Sequence, residues 1–231
     1  MTWAEFAAAW SALHGGFDPE TASPLVRGWV RLAYRGGSLL GRLRVGPGAV
    51  TAVGLLLSAA VPFAAMIGRA GPLSTGPLSA GLLLGGFLVL LASVADGLDG
   101  AVAVVSGTVT RLGYVYDSVA DRLGEVAWLA AFWVAGAPAW LVVAGGGVSW
   151  LHEYVRARAT AGGMADIGAV TVGERPTRVS IAVSALVIGG VAGFAHPDWE
   201  VRAIVVGAAV WLALAVIGLG QLGIAVRREL R

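Results

Sequence analysis

Four aspartates within 26 residues carry the chemistry that this chain offers. They lie in D-G-L-D-G-A-V-A-V-V-S-G-T-V-T-R-L-G-Y-V-Y-D-S-V-A-D, which runs from Asp96 to Asp121. Asp96 and Asp99 are three residues apart, Asp117 and Asp121 four apart, so on helices each pair projects from one face. The neighbouring residues are apolar, where a buried charge costs about 2.5–3.5 kcal/mol and four cost roughly 10–14 kcal/mol. No four basic residues stand nearby to offset them. Hard oxygen donors placed at such expense point to positive charge supplied from outside, as divalent metal ions.

The elements around them read as membrane helices. The 231 residues are 57% hydrophobic and 13% charged, against about 25% charged in soluble domains, and mean hydropathy is +0.79. An all-α integral membrane protein follows. There is no cysteine, which excludes disulfides and thiolate metal sites. All sixteen basic residues are arginine.

Six transmembrane helices are expected. The first is Gly48 to Ile67, twenty residues without a charge and enough for one crossing. The second starts near Pro77, takes in Asp96 and Asp99 and ends about Val105. The third, Leu112 to Ala135, carries Asp117, Asp121, Arg122 and Glu125. The fourth begins at Pro138 and turns polar at His152 and Glu153; the last two are about Val179 to Ala195 and Ala203 to Val226. Gly81, Gly85 and Gly86 would let helices approach closely. No internal repeat is visible, and residues 161–178 form the longest polar connection.

Six crossings put both termini on one side. That side holds Arg111, Arg156, Arg158, Arg175, Arg178, Arg227, Arg228 and Arg231, the other only Arg69 and Arg202. The excess of arginine predicts cytoplasmic termini and places the aspartates at cytoplasmic helix ends. Residues 1–46 form a separate cytoplasmic segment ahead of the membrane domain, 47–231, and lack the pattern of a secretory signal. In that segment Arg27, Arg31, Arg35, Arg42 and Arg44 alternate with Leu25, Val26, Trp29, Val30, Leu32, Leu39 and Leu40. This is the pattern of an amphipathic juxtamembrane helix lying on anionic membrane lipids. Nucleic acid is set aside as a partner, because the patch joins a membrane span directly.

The aspartate pattern resembles D-x2-D-G-x2-A-R-x8-G-x3-D-x3-D, the signature of the CDP-alcohol phosphotransferases (CDP-alcohol phosphatidyltransferases). Asp96, Asp99, Gly100, Ala103, Gly113, Asp117 and Asp121 match it at family spacing. Pro47-Gly48-Ala49-Val50-Thr51 is similar to the family's P-N-x-x-T opening of the first span. His152 to Ala159 and Glu174-Arg175-Pro176-x-Arg178 are similar to the Y-x-K/R-A-R-A and E-R-P-x-R segments of the phosphatidylinositol-phosphate synthase branch. The resemblance covers about residues 25 to 225 and implies a homodimeric phospholipid-synthesis enzyme of the bacterial plasma membrane. Such an enzyme moves a phosphatidyl group from CDP-diacylglycerol to a polar alcohol, with inositol phosphate favoured, and releases CMP.

The resemblance also implies residue roles. Asp96 and Asp117 would ligate both of two Mg²⁺ (or Mn²⁺) ions, Asp99 one and Asp121 the other, with Asp121 also the general base. Gly48, Ala49, Val50, Thr51, Gly100 and Thr110 would line the CDP donor, and Arg156 and Arg158 would hold an anionic acceptor. Two positions depart from the family: Val104 stands for the arginine after Ala103, and Gly48 for the asparagine after Pro47. Both departures fall on residues that the resemblance assigns to donor binding.

The blander readings differ from site to site. Arg111 and Arg122 would have to neutralise the aspartates if these only packed helices. Glu125 is expected to pair with Arg122, and Arg175 and Arg178 read as lipid-headgroup anchors. His14, His152 and His196 are isolated and are not taken as ligands. The tryptophans near span ends fit aromatic belts. Rival functions are a glycerol-phosphate-using transferase, a non-catalytic family member motivated by Val104, and a membrane cation carrier. CDP-diacylglycerol would sharpen metal affinity in the transferases and leave it unchanged in the carrier.

Overall fold

The protein, described here by a computed structural model, is covered for residues 1–13, 16, 18–70, 78–164 and 170–231, with the backbone alone at 25, 67–70 and 197. His14, Pro77, the Arg69 side chain and part of the 161–178 connection lie outside that description. Eight helices and no strand occur among the described residues: α1 (Trp3–Leu13), α2 (Pro24–Arg42), α3 (Pro47–Ala70), α4 (Leu78–Ser106), α5 (Arg111–Val134), α6 (Ala139–Ala161), α7 (Arg175–Ala195) and α8 (Pro197–Glu229).

Local chemistry explains the ends. Ser23 caps α2, its Oγ accepting from Val26 N at 3.4 Å, with Pro24 in the first turn. Pro starts α3 and α8 and opens the second position of α7, where a missing N–H does no harm. The α2–α3 turn passes through Arg44 in the left-handed region, at φ 58°.

Among the described residues four helices are long and apolar enough to cross a membrane: Pro47–Met66, Leu78–Ser106, Arg175–Ala195 and Asp198–Glu229. The third and fourth expected spans are present as helices α5 and α6, of 24 and 23 residues. Their polar load, including Asp117, Asp121, Arg122 and Glu125 in α5, sets them apart from the other four. Helix α1, in the segment that the sequence left unread, is an addition.

The chain forms two compact units, Met1–Leu56 with Ala92–Asp121, and Leu57–Leu91 with Arg122–Arg231. In the first, Phe6 of α1 is 0% exposed and packs with Val30 and Ala33 of α2 and Ala101 and Val104 of α4. Burying one such phenylalanine contributes about 1.5–3 kcal/mol. Helix α2 crosses α4 at Gly37, where a Cβ would lie 2.9 Å from the Ala101 carbonyl carbon. The Phe6 and Tyr34 rings meet tilted at 45° with centroids 5.1 Å apart, and the Arg31 guanidinium lies 5.3 Å from the Trp3 ring.

The second unit has the larger core, with Val61, Leu82, Val89, Trp128, Phe132, Leu186, Ile204 and Trp211. Small residues set its helix spacing: a Cβ at Gly207 of α8 would stand 2.4 Å from that of Ala185 on α7. Gly85 and Gly86, singled out in the sequence, face Val61, Leu186 and Val187 of this unit. Glu200 accepts from both the backbone N–H (3.2 Å) and the hydroxyl (2.5 Å) of Ser79, holding the first turn of α4.

Candidate active site

Helices α4 and α5 bring Asp96, Asp117 and Asp121 together. One carboxylate oxygen from each lies within 4.8 Å of the others. Three hard oxygen donors at that separation suit a divalent cation such as Mg²⁺ or Mn²⁺. The donor set therefore matches the expected metal. Arg111 is exposed and makes no ion pair among the described residues, while Arg122 engages Glu125 and Glu153.

Asp99, the fourth expected ligand, is not in that mutually close set. It is 6% exposed and accepts from Thr51 Oγ1 at 2.5 Å and from Gly100 N at 2.6 Å. Thr51 also reaches the Pro47 carbonyl at 3.1 Å, but its single proton favours the shorter, charge-assisted contact. The close approach of α3 to α4 here depends on Gly54, whose Cβ would stand 3.3 Å from that of Ala95. Sequence reasoning passed over Gly54; the signal was its place one helical turn after Thr51.

The expected donor residues divide by environment. Gly48 and Ala49 are exposed, and a Cβ at Gly48 or Gly100 would meet nothing within 4 Å, so both flanks are open. Val50 is buried with Ala95 and Val102, which leaves its backbone as the part that could meet a donor. Thr110 caps α5, its Oγ1 accepting from Gly113 N at 3.0 Å while the hydroxyl proton stays available. Val104 is 4% exposed inside the Phe6 cluster. An arginine there would be buried among apolar side chains, so at this position the departure from the family pattern is a packing feature.

The second unit carries a different polar cluster. Arg178, expected at lipid headgroups, is instead buried: its Nη1 donates to both oxygens of Glu125 (2.9 and 3.0 Å), its Nη2 to Glu153 (2.6 Å) and its Nε to the Gly173 carbonyl (2.8 Å). All three guanidinium nitrogens are used, which corrects the headgroup reading. Arg175 lies over the Trp128 ring, 5.9 Å from its centre, and is likewise directed into the protein. The expected Arg122–Glu125 pair forms at 3.0 Å, and Arg122 reaches Glu153 at 3.2 Å.

The expected acceptor residues Arg156 and Arg158 both sit on α6, two positions apart, and so do not share a face. Arg156 is ion-paired with Glu174, whose same oxygen accepts from the N–H (3.0 Å) and hydroxyl (3.1 Å) of Thr171. Arg158 is exposed. His152 is buried, with Nε2 2.9 Å from Thr171 Oγ1, in a structural contact.

Known proteins resemble this chain in sequence and in fold. The CDP-alcohol phosphatidyltransferase pattern matches residues 44–219. The chain is 36% identical to the phosphatidylinositol phosphate synthase of Mycobacteroides abscessus, over 49% of this chain and 54% of the relative. It is 31% identical to the archaetidylinositol phosphate synthase of Pyrococcus horikoshii, over 42% of this chain and 52% of the relative. The matched region thus spans about half the length of these relatives. A crystal structure of Mycobacterium tuberculosis phosphatidylinositol phosphate synthase with manganese and citrate superposes with a TM-score of 0.67 at 26% identity, covering 84% of this chain and 88% of that one. The same synthase with CDP-DAG bound gives 0.62 at 25% identity, over 83% and 94%. With three motif aspartates converging and the family pattern matched over most of its length, the chain belongs to the CDP-alcohol phosphatidyltransferase family.

Proposed function

We propose that the chain transfers the phosphatidyl group of CDP-diacylglycerol to the hydroxyl of a polar acceptor, with inositol phosphate favoured, and releases CMP. The convergence of Asp96, Asp117 and Asp121 within 4.8 Å carries this reading. These three, joined by Asp99 once it turns from Thr51, would hold two Mg²⁺ or Mn²⁺ ions. Such ions, when bound, neutralise charge on the transferring phosphoryl group and the leaving nucleotide. Asp121 takes the acceptor hydroxyl proton as the new P–O bond forms and the bond to the CMP phosphate oxygen breaks. The open flanks of Gly48 and Gly100 admit the nucleotide, and the Thr110 hydroxyl donates to it. Arg156 and Arg158 hold the acceptor's anionic group, Arg156 by exchanging Glu174 for it.

The same reading has six crossings of a bacterial plasma membrane, cytoplasmic termini, α2 along the lipid surface and a homodimeric assembly. The donor's acyl chains enter sideways between helices. Two of the relatives are phosphatidylinositol phosphate synthases, which supports inositol phosphate over glycerol phosphate as acceptor. Val104 lies in the core, so it no longer argues for a non-catalytic member.

The test is CMP release by the protein in nanodiscs with CDP-diacylglycerol, Mg²⁺ or Mn²⁺, and inositol phosphate or glycerol phosphate. Release should depend on one acceptor and fall at least about 10²-fold in Asp121→Asn, the scale of a lost general base. A folded, metal-binding protein that releases no CMP with any acceptor overturns the reading. Metal affinity indifferent to CDP-diacylglycerol would favour a cation carrier.

A further inference from the structure

A second basic site lies away from the aspartates. Met1, helix α2 and the end of α4 border a half-open cavity of about 490 Å³, lined by Tyr34, Arg35, Ser38, Arg42, Val105 and Ser106 among others. Tyr34 and Ser38 are four residues apart and Arg35 and Arg42 seven, so two adjacent rows of one helix face the same space. No lining residue is acidic.

The arginines of α2 differ in what they do. Arg31 pairs with Glu20 at 3.4 Å, and Arg27 donates to the Ala22 carbonyl at 3.3 Å. Arg35 and Arg42 have no ion pair or hydrogen bond among the described residues, and they are the two that line the cavity. Nearby helix-end carbonyls already have donors: Leu43 N bonds Leu39 O, Thr108 N bonds Ala103 O and Gly107 N bonds Val104 O. The donors left facing the cavity are the two guanidiniums and the Ser38 hydroxyl, since the Tyr34 hydroxyl already donates to the Met1 carbonyl at 2.9 Å and Ser106 Oγ to the Val102 carbonyl at 2.6 Å. Leu39, between the arginines, is 59% exposed beside the opening and offers an apolar flank.

The site is distinct from the carboxylates. Ser106 is ten residues beyond Asp96 on the same helix, about 15 Å along its axis. We propose that this cavity binds a phosphate group, either as an anionic phospholipid headgroup or as the free anion. Paired guanidiniums match phosphate oxygens in charge and geometry. This site is additional to the transfer proposed above and would stand if that reading failed.

The test uses the full chain in zwitterionic detergent without divalent cations. Binding of short-chain phosphatidylglycerol, phosphatidylcholine and inorganic phosphate is measured by native mass spectrometry and calorimetry. Two variants separate charge from space: Arg35→Gln/Arg42→Gln removes the donors, and Ser38→Trp fills the cavity. Circular dichroism establishes that both remain folded. Phosphatidylglycerol or phosphate should bind once per chain and at least tenfold more weakly to both variants. Tenfold preference for phosphatidylglycerol over phosphate identifies the headgroup, and equal affinity the free anion. The proposal is overturned by no binding, by equal binding of phosphatidylcholine, or by variants that bind as the parent does. Loss in the arginine variant alone also overturns it, since that is diffuse charge attraction.

Discussion

The aspartate motif and the Arg178 cluster both place charge in apolar helices, yet their compositions are opposite. The first gathers like charges: three carboxylates within 4.8 Å, with a fourth on the same stretch of α4. The second balances two arginines, Arg122 and Arg178, against two glutamates, Glu125 and Glu153, through contacts of 2.6–3.2 Å. A balanced cluster satisfies itself and serves the fold. A like-charged cluster of hard oxygen donors is the arrangement that a divalent cation suits.

Asp117→Asn should show this contrast most strongly. It should lower CMP release by about 10³-fold, while the metal-free protein unfolds at the same or a higher temperature because like charges have been separated. A thermal scan in EDTA beside the transfer assay measures both; a large drop in metal-free stability would remove the contrast. Arg178→Met should do the reverse, destabilising the fold by about 3–5 kcal/mol because two glutamates lose a buried partner. Chemical unfolding in mixed micelles reads that loss. Adding Glu125→Gln should recover part of it, and a double variant no better than the single would mean that the arginine acts otherwise.

Val104→Arg tests the family departure. The resemblance alone would have an arginine restore donor binding; its place against Phe6 gives instead a loss of about 3 kcal/mol, the order of a charge set in an apolar interior. Turnover should not rise, and Trp3 fluorescence should report loosening of α1. The smallest effect concerns acid. Glu20 accepts from the Trp3 indole and neighbours Arg31, and these hold its carboxyl below the ordinary 4.5. A carboxyl depressed by folding stabilises the folded state fully above about pH 4.5 and progressively less as pH falls through its folded value. Lowering the pH below about 4.5 should therefore shift Trp3 emission, and Glu20→Gln should abolish that shift while leaving the Asp117 and Arg178 contrasts intact.

Much of this was legible in the chain. The aspartates announced themselves by spacing, and apolar runs placed α3, α4, α7 and α8, because both signals are local. The turn of Asp99 toward Thr51 was not legible, since it depends on two helices meeting at Gly54. The burial of Arg178 was misread for the same reason: a basic residue at a span end looks alike whether it faces headgroups or two glutamates 25 and 53 residues earlier. Helix α1 went unread because its partners, Ala101 and Val104, lie some ninety residues along the chain.

That long-range contact bears on how the protein is handled at the bench. The first twenty-two residues look like a dispensable leader, the sort commonly trimmed or exchanged for a purification tag. Cutting them would unroof Ala33, Ala101 and Val104 together and leave a greasy notch beside α2. A shortened chain would therefore be expected to clump during extraction, with a poor yield that reflects lost packing around α2 and α4 and no fault in the aspartates of the same unit.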